Sequence, residues 1–372
     1  MRAVIVMPLA TQRGGVELQL QQLVEQRAAA ALELTVVFLR DGPMVEWCRA
    51  RGVAAVVIDA GRFRQVRRVA ASVRGIARLV RRVRADVVIG WMAKGQLYAG
   101  MAAAVARVPS VWLQAAFPVG AVPIDRVATL LPAQSIITVS RTVDAAQRAL
   151  WPKRHTTVVY PAVDMGRFDA ARVGDKIAVR RRLGLPEDGL IFGSVGRLDR
   201  WKGFHVLLNA VPTVVERHPD ASMVLVGGTH ELSAAYADEL RAQALGLGLN
   251  GRVRLVGQQP NPEEWMQAMD VFVHASENEP FGMVVIEAMA LGKAVVASAQ
   301  GGPAEVITPG LDGLLAPFGD HRALGAAILR LFDDAALRER LGHAARLRAR
   351  EFAVERFAER FGAAVADAVT RV

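Results

Sequence analysis

The sequence predicts an α/β protein made of two doubly wound parallel-sheet domains. Short β-branched runs alternate with longer helical patterns along the whole chain, and strand, helix, strand in repetition gives a parallel sheet covered on both faces. The runs fall into two successive sets. The length, 372 residues, suits two domains of ordinary size, each able to bury its own core.

Candidate strands of the first set lie at 3–7, 34–39, 55–58, 86–90, 110–113 and 135–139. Those of the second lie at 190–195, 223–226, 253–256, 271–274, 294–297 and 313–315. Between the sets, V-V-Y-P-A-V-D-M-G-R-F at 158–168 is extended, contains proline and suits a linker. This gives an N-terminal domain over 1–165, a C-terminal domain over 166–350 and a last helical segment over 351–372. Ligands of such sheets bind outside the carboxyl ends of the strands, so the loops there are where chemistry is expected.

Hydrophobic residues make up 52% of the chain, which excludes a disordered protein. Cys48 is the single cysteine, so an intramolecular disulfide and a Cys-based zinc cluster are excluded. No D-x-D stands in a suitable metal position and no Cys/His cluster occurs, so a metal-independent reaction without cofactor is expected. The opening M-R-A-V-I-V-M-P reads as a first strand rather than a signal segment. No apolar run approaches the ~18–20 residues needed to span a bilayer. The expectation is a cytoplasmic protein, soluble or peripheral at the inner face of the membrane.

The net charge of +10 is unevenly placed: residues 1–160 carry 22 Lys/Arg against 9 Asp/Glu. A basic half favours a polyanionic partner. Nine of the arginines lie in residues 62–84, which hold no acid. Val66, Val69, Val73, Ile76, Val80 and Val83 recur there at helical steps and form an apolar stripe. One reading is a core-facing helix with a solvated basic back; another is docking to anionic lipid, and the two can coexist. Nucleic acid is disfavoured, because no aromatic stacking platform accompanies the charge.

Three segments carry chemistry. Residues 276–298 read S-E-N-E-P-F-G-M-V-V-I-E-A-M-A-L-G-K-A-V-V-A-S. A Gly-containing turn opening a helix offers free N–H groups to an anion, and Glu279 and Glu287 can accept hydrogen bonds from sugar hydroxyls. Residues 193–203, G-S-V-G-R-L-D-R-W-K-G, place Arg197 and Lys202 beside a glycine turn, where two cations can clamp a diphosphate. Residues 7–17, M-P-L-A-T-Q-R-G-G-V-E, end the first strand with Gly14-Gly15 at a helix start, which permits close approach of a phosphate. Singly, each has a plainer reading: glutamates on a helix, a basic surface loop, a simple turn.

Together they resemble the retaining glycosyltransferases of family 4, the glycosyl transferases group 1, which have the GT-B fold: two Rossmann-like doubly wound domains facing a central cleft. The resemblance rests on E-x7-E with its P-F-G and trailing E-A-M-A-x-G-K, on G-R-L-x-x-x-K-G about 80 residues earlier, and on Pro8, Gly14, Gly15 and Glu17 in a P-x-x-x-x-x-G-G-x-E loop. The linker is similar to the family's P-N-G-V-D-x-x-x-F, with Ala162 where Asn-Gly would stand and with Asp164 and Phe168 fitting. The match covers nearly the whole chain, strongest over 190–317 and weakest over 40–130.

The resemblance implies transfer of a sugar, with retention, from a UDP- or GDP-sugar to a hydroxyl of a lipid-linked saccharide, polysaccharide or lipopolysaccharide. It makes Arg197 and Lys202 diphosphate ligands, Glu279 the acid on the donor sugar, and Glu287 the ligand of the ribose. Phe281, Gly282, Met283 and Val284 become backbone donors to phosphate and sugar, and Gly257-Gln258 the place of the base. Gly227-Gly228 faces the cleft, with Thr229, His230 and Glu231 either touching the nucleotide or forming a plain loop. The last helix is expected to cross back to the first domain.

The departure is histidine. All seven (155, 205, 218, 230, 274, 321 and 343) follow residue 154. Family members commonly place one in the N-terminal domain, in a W-x-Q-H-G-x-P stretch; here W-L-Q-A-A-F-P puts Ala115 and Ala116 there, and Trp91 replaces another frequent histidine. Either Lys94, Gln114 or Asp125 has taken the role, or activity is impaired. Two alternatives stay open: a non-catalytic nucleotide-sugar-binding partner, and a GT-B nucleotide-sugar epimerase.

Overall fold

The computed structural model describes residues 1–11, 14–61, 64–118, 123–229 and 234–371. The chain divides into two compact units, residues 1–162 with 354–372, and residues 163–353. Each is an α/β unit around one parallel sheet.

The first unit holds β1 (Arg2–Met7), β2 (Glu33–Phe38), β3 (Ala54–Val57), β4 (Val87–Trp91), β5 (Ser110–Gln114), β6 (Ser135–Thr138) and β7 (Thr156–Val158) in the order β3-β2-β1-β4-β5-β6-β7. The central strands are Val/Ile runs buried on both faces, as helices on either side of a parallel sheet require. Helices Val66–Arg82, Met92–Ala106 and Pro123–Leu130 cover one face through Val73, Ile76, Val80, Leu97 and Ala128. Val66, at the first turn of the basic helix, lies outside this stripe and is exposed; the start of the basic segment, Arg62 and Phe63, is outside the described residues. The C-terminal helix Val354–Thr370 packs against helix Gly15–Glu25 and against β5 and β6. Its Gly362 lets it approach closely: a Cβ there would lie 2.1 Å from the Ala30 carbonyl oxygen.

The second unit holds β8 (Ile191–Val195), β9 (Ser222–Val226), β10 (Val253–Leu255), β11 (Val271–His274), β12 (Ala294–Ser298) and β13 (Leu314–Ala316) in the order β10-β9-β8-β11-β12-β13. Sequence and structure agree on twelve strands to within one residue at each end. The thirteenth, β7, is an edge strand of three residues, too short to show a pattern, and it runs into the expected linker.

The amino ends of β8 and β11 are fastened by charge. Asp270 accepts from the Ile191 N–H at 2.8 Å, from Arg180 at 2.6 Å and from Lys176 at 2.5 Å. Arg180, 1% exposed, also donates to the carbonyls of Ala268, Glu187 and Gly189. Burial works to raise the Asp270 pKa, but Lys176, Arg180 and the Ile191 N–H outweigh it and hold it below the usual carboxylate range. Removing one partner of a buried pair strands the other. Asp270→Ala is therefore expected to cost about 3–5 kcal/mol in urea unfolding, far more than loss of the exposed Arg181–Glu187 pair.

Candidate functional site

In the second unit, strand order reverses between β8 and β11, which pair through Val271 with Phe192 and Phe272 with Gly193. Ligands of open α/β sheets sit at that reversal, beyond the carboxyl ends. Both motif segments emerge there: Gly196 to Gly203 after β8, and Ala275 to Gly282 after β11.

Backbone contacts bind the two segments together. The Glu277 N–H donates to the Trp201 carbonyl at 2.7 Å. Gly203 has φ 70°, and a Cβ on it would lie 2.0 Å from the Ala275 carbonyl oxygen, so only glycine allows the close approach. On the other side, the Gly302 N–H donates to the Glu279 carbonyl at 2.8 Å, and a Cβ at Gly302 would come 2.2 Å from the Phe281 Cα. The Gly301-Gly302 pair after β12 thus cradles the Glu279–Phe281 turn, a support the sequence reading missed.

This packing delivers Lys202 to Glu279, with Nζ 2.5 Å from Oε2. Trp201 lies against the same ammonium group, 4.1 Å from its ring centroid. Glu279 is 9% exposed. Burial alone would raise its pKa; Lys202 first, then His274, overcome this and bring it down to about 2, so the carboxylate is ionised at any working pH. His274 is a second feature missed from sequence. It ends β11, and its Nε2 lies 3.2 Å from Glu279 Oε2.

The helix Met283–Ala290 opens at Gly282, in the left-handed region at φ 91°. Among the described residues, the N–H groups of Gly282, Met283 and Val284 find no acceptor, as expected for a first turn. The Phe281 ring is buried against Phe352, so only its backbone is available to a ligand. Glu287 sits on the second turn, 7% exposed, its carboxylate without a hydrogen-bond partner among the described residues. Burial pushes its pKa up to about 7; Arg167 pulls it down, and Glu263, paired with Arg167 at 2.9 Å, pushes it up again.

Not every expected residue joins this group. Arg197 stands at the same sheet end but is largely exposed and pairs with Asp199 at 3.1 Å. Gly257 follows β10, two strands out from the reversal, where its N–H-accepting carbonyl meets Gly227 at 2.8 Å. His230 and Glu231 lie outside the described residues.

In the first unit, Gly14 caps the helix Gly15–Glu25 at the carboxyl end of β1. The Glu17 carboxylate folds back over the loop, accepting from Thr11 at 2.5 Å. Trp91 is fully buried and its indole donates to the Val16 carbonyl at 3.1 Å, so it anchors that helix and cannot stand in for a ligand-facing histidine. Gln114 ends β5 and donates to the buried Asp125 at 2.9 Å. Burial holds the Asp125 carboxyl above its ordinary range, with the Gln114 bond opposing. Lys94 is half-buried on the first turn of Met92–Ala106.

Comparison with known proteins agrees with this geometry. Residues 175–348 match the family described as glycosyl transferases group 1. A D-inositol 3-phosphate glycosyltransferase of Corynebacterium urealyticum is 37% identical over 187 residues, 49% of this chain and 44% of the relative. The lipopolysaccharide core biosynthesis glycosyltransferase LpsE of Rhizobium meliloti is 37% identical over 169 residues, 45% of this chain and 47% of the relative. The chain thus spans about half the length of the curated relatives it matches. Among solved structures, Anabaena Alr3699/HepE in complex with UDP superposes with a TM-score of 0.88 at 24% identity, over 100% of both chains. WaaG, a glycosyltransferase involved in lipopolysaccharide biosynthesis, gives 0.75 at 16% identity, over 98% of this chain and 99% of that one. These likenesses establish the GT-B fold.

The unpartnered Glu287 has a stability consequence. Its folded pKa of about 7 exceeds the ordinary 4.5, so the folded chain holds the proton more tightly than the unfolded chain between those values. The resulting stabilisation is full below the lower value and is lost as pH rises through the higher one. Glu287→Gln is expected to stabilise the ligand-free protein near pH 8 by up to about 3 kcal/mol, and to change little near pH 4. Urea titrations at both pH values check this.

Proposed function

Because residues 175–348 match the glycosyl transferases group 1 family, we propose that this chain transfers a sugar from a nucleotide-sugar donor to a hydroxyl, with retention at the anomeric carbon. One observation carries the reading: an ionised Glu279 held by Lys202, open N–H groups at a helix start and an unpartnered Glu287 on that helix all lie beyond β8 and β11. Nucleotide-sugar chemistry needs these groups in that sequence: hydroxyl acceptor, phosphate donors, ribose acceptor.

In this reading Glu287 accepts from the ribose hydroxyls, which supply the partners it lacks. Gly282, Met283 and Val284 donate to phosphate and sugar through the backbone, at the positive end of the helix. Lys202 has three N–H donors, so it can keep one on Glu279 and turn others to the diphosphate. Arg197, exposed and lightly tethered, swings in from the other side. The two cations meet the charge that grows as nucleoside diphosphate departs, which makes a metal ion unnecessary. The leaving phosphate takes the acceptor's proton on the same face, so no protein nucleophile is required.

UDP is the first base to test, since Anabaena Alr3699/HepE has been solved with UDP and with UDP-glucose; GDP is the alternative. A lipid-linked saccharide, polysaccharide or lipopolysaccharide acceptor accords with the name of the Rhizobium meliloti relative and with the basic helix Val66–Arg82, whereas the name of the Corynebacterium urealyticum relative points to a small phosphorylated acceptor, D-inositol 3-phosphate. On that helix Val73, Ile76 and Val80 face the core, while Arg67, Arg74 and Arg82 are exposed and have no carboxylate partner among the described residues. Both readings of its sequence are thereby compatible. The absence of histidine at Ala115 and Ala116 favours the second reading, a binding partner without turnover.

A thermal-shift panel of UDP, GDP, ADP and their sugar conjugates tests the donor site. Stabilisation of about 2.7 kcal/mol at 100 times Kd is expected for one base, abolished by Glu287→Ala; no shift with any nucleotide sinks the proposal. Transfer of label from the binding conjugate to a lipid extract separates turnover from binding alone, and free diphosphate without a glycosylated product points to the epimerase. Cosedimentation with phosphatidylglycerol vesicles, absent with phosphatidylcholine, is expected to be lost in the triple variant Arg67→Glu, Arg74→Glu, Arg82→Glu, each arginine contributing about 1 kcal/mol.

A further inference from the structure

Strand β11 reads V-F-V-H, three apolar residues and then a histidine at the carboxyl end. His274 is 2% exposed. Its Nε2 lies 3.2 Å from Glu279 Oε2 and 3.0 Å from Ser276 Oγ, while Nδ1 is buried with no hydrogen-bond partner among the described residues. A neutral imidazole carries one N–H. Placed on Nδ1, that N–H would be a buried orphan donor, the costlier kind of unmet polar group. Placed on Nε2, it meets the Glu279 carboxylate and the Ser276 hydroxyl. The surroundings therefore select the tautomer that donates to Glu279.

Lys202 donates to the same oxygen, Oε2. Two donors converge on one carboxylate oxygen, and Oε1 carries no hydrogen bond among the described residues. The two donors differ in what a ligand does to them. Lys202 is shared with the diphosphate once donor arrives, and its flexible stem lets it move. His274 is closed in behind the carboxylate on a rigid strand, and no ligand competes for it. It can hold the plane of Glu279 while Lys202 turns away.

We propose that His274, with Ser276, is a positioning residue for donor-sugar recognition. It fixes Oε2 inward so that Oε1 faces the sugar hydroxyls, and it thereby sets the preference for nucleotide-sugar over bare nucleotide. This rests on the reading of Glu279 as the acid that contacts the donor sugar.

Calorimetric titration of UDP and UDP-glucose, and of GDP and GDP-mannose, into wild type and variants is the test. His274→Gln places an amide N–H near the Nε2 position; His274→Asn places it near Nδ1. His274→Leu and His274→Asn are expected to weaken the sugar conjugate by about 10-fold or more, the scale of a hydrogen bond to a charged group, and to leave the nucleoside diphosphate within about 2-fold. His274→Gln is expected to recover most of the conjugate's affinity. Equal loss for diphosphate and conjugate, no loss for either, or failure of glutamine to outperform asparagine overturns the proposal. The last comparison stands even if the leucine variant does not fold. A wild type that binds diphosphate and conjugate equally well removes the sugar contact and the inference with it, while the nucleotide site survives; a wild type that binds neither ends both.

Discussion

The pairing of β8 with β11 is the constraint on which the rest of the second unit depends. At the amino ends, Asp270 ties the first residue of β8 to Arg180 and Lys176. At the carboxyl ends, Gly203 lies against Ala275 and the Glu277 N–H meets Trp201. A parallel pair has no hairpin to set its register. Here register is set from both ends, by a buried ion pair and by a glycine contact. Slippage by one residue would exchange side chains between the two buried faces of the sheet, and would also part Lys202 from Glu279.

That constraint explains which features were legible in the sequence. The strands were legible because strands buried on both faces are continuous Val/Ile runs that stand out from helical periodicity. That Lys202 and Glu279 belong to one site was legible only through family resemblance, and their ion pair was not legible at all: the two residues are far apart in sequence, and no local pattern makes them neighbours. Gly301 and Gly302 were overlooked because a Gly-Gly pair before proline looks like any turn, and its purpose appears only with the Phe281 backbone packed on it. His274 was read as the last residue of a strand. Its signal was a titratable group ending an apolar run at a carboxyl end, which deserves suspicion in any doubly wound sheet. Trp91, which stands where a histidine is frequent, is instead claimed by the core.

The two glutamates of the motif show why spacing alone carries so little information. Glu279 lies in the turn and Glu287 on the helix, and both are buried. Their carboxyls are nonetheless driven in opposite directions, one down to about 2 and the other up to about 7. The difference is whether partners are present. Glu279 has a lysine and a histidine on one oxygen; Glu287 has an arginine whose field is spent on Glu263. The first group is preorganised before any ligand arrives, and the second is left short of hydrogen bonds until one does.

Such an arrangement is a poor solution for stability and a good one for binding. Buried carboxyls without partners are disfavoured unless something supplies donors, and a chain selected for stability alone would place glutamine or an apolar residue at position 287. A ligand presenting a pair of hydroxyls converts the deficit into affinity, because the desolvation cost has already been met in the folded state. The same logic separates this cluster from the polar group at the end of β5. In the first unit, Gln114, Asp125, Thr129 and Gln147 satisfy one another, and Trp91 is committed to the helix it anchors. In the second, open N–H groups, one free carboxylate oxygen on Glu279 and an unpartnered Glu287 gather at one strand reversal. Unmet polar groups that converge on one place mark the surface on which a polar ligand completes the structure.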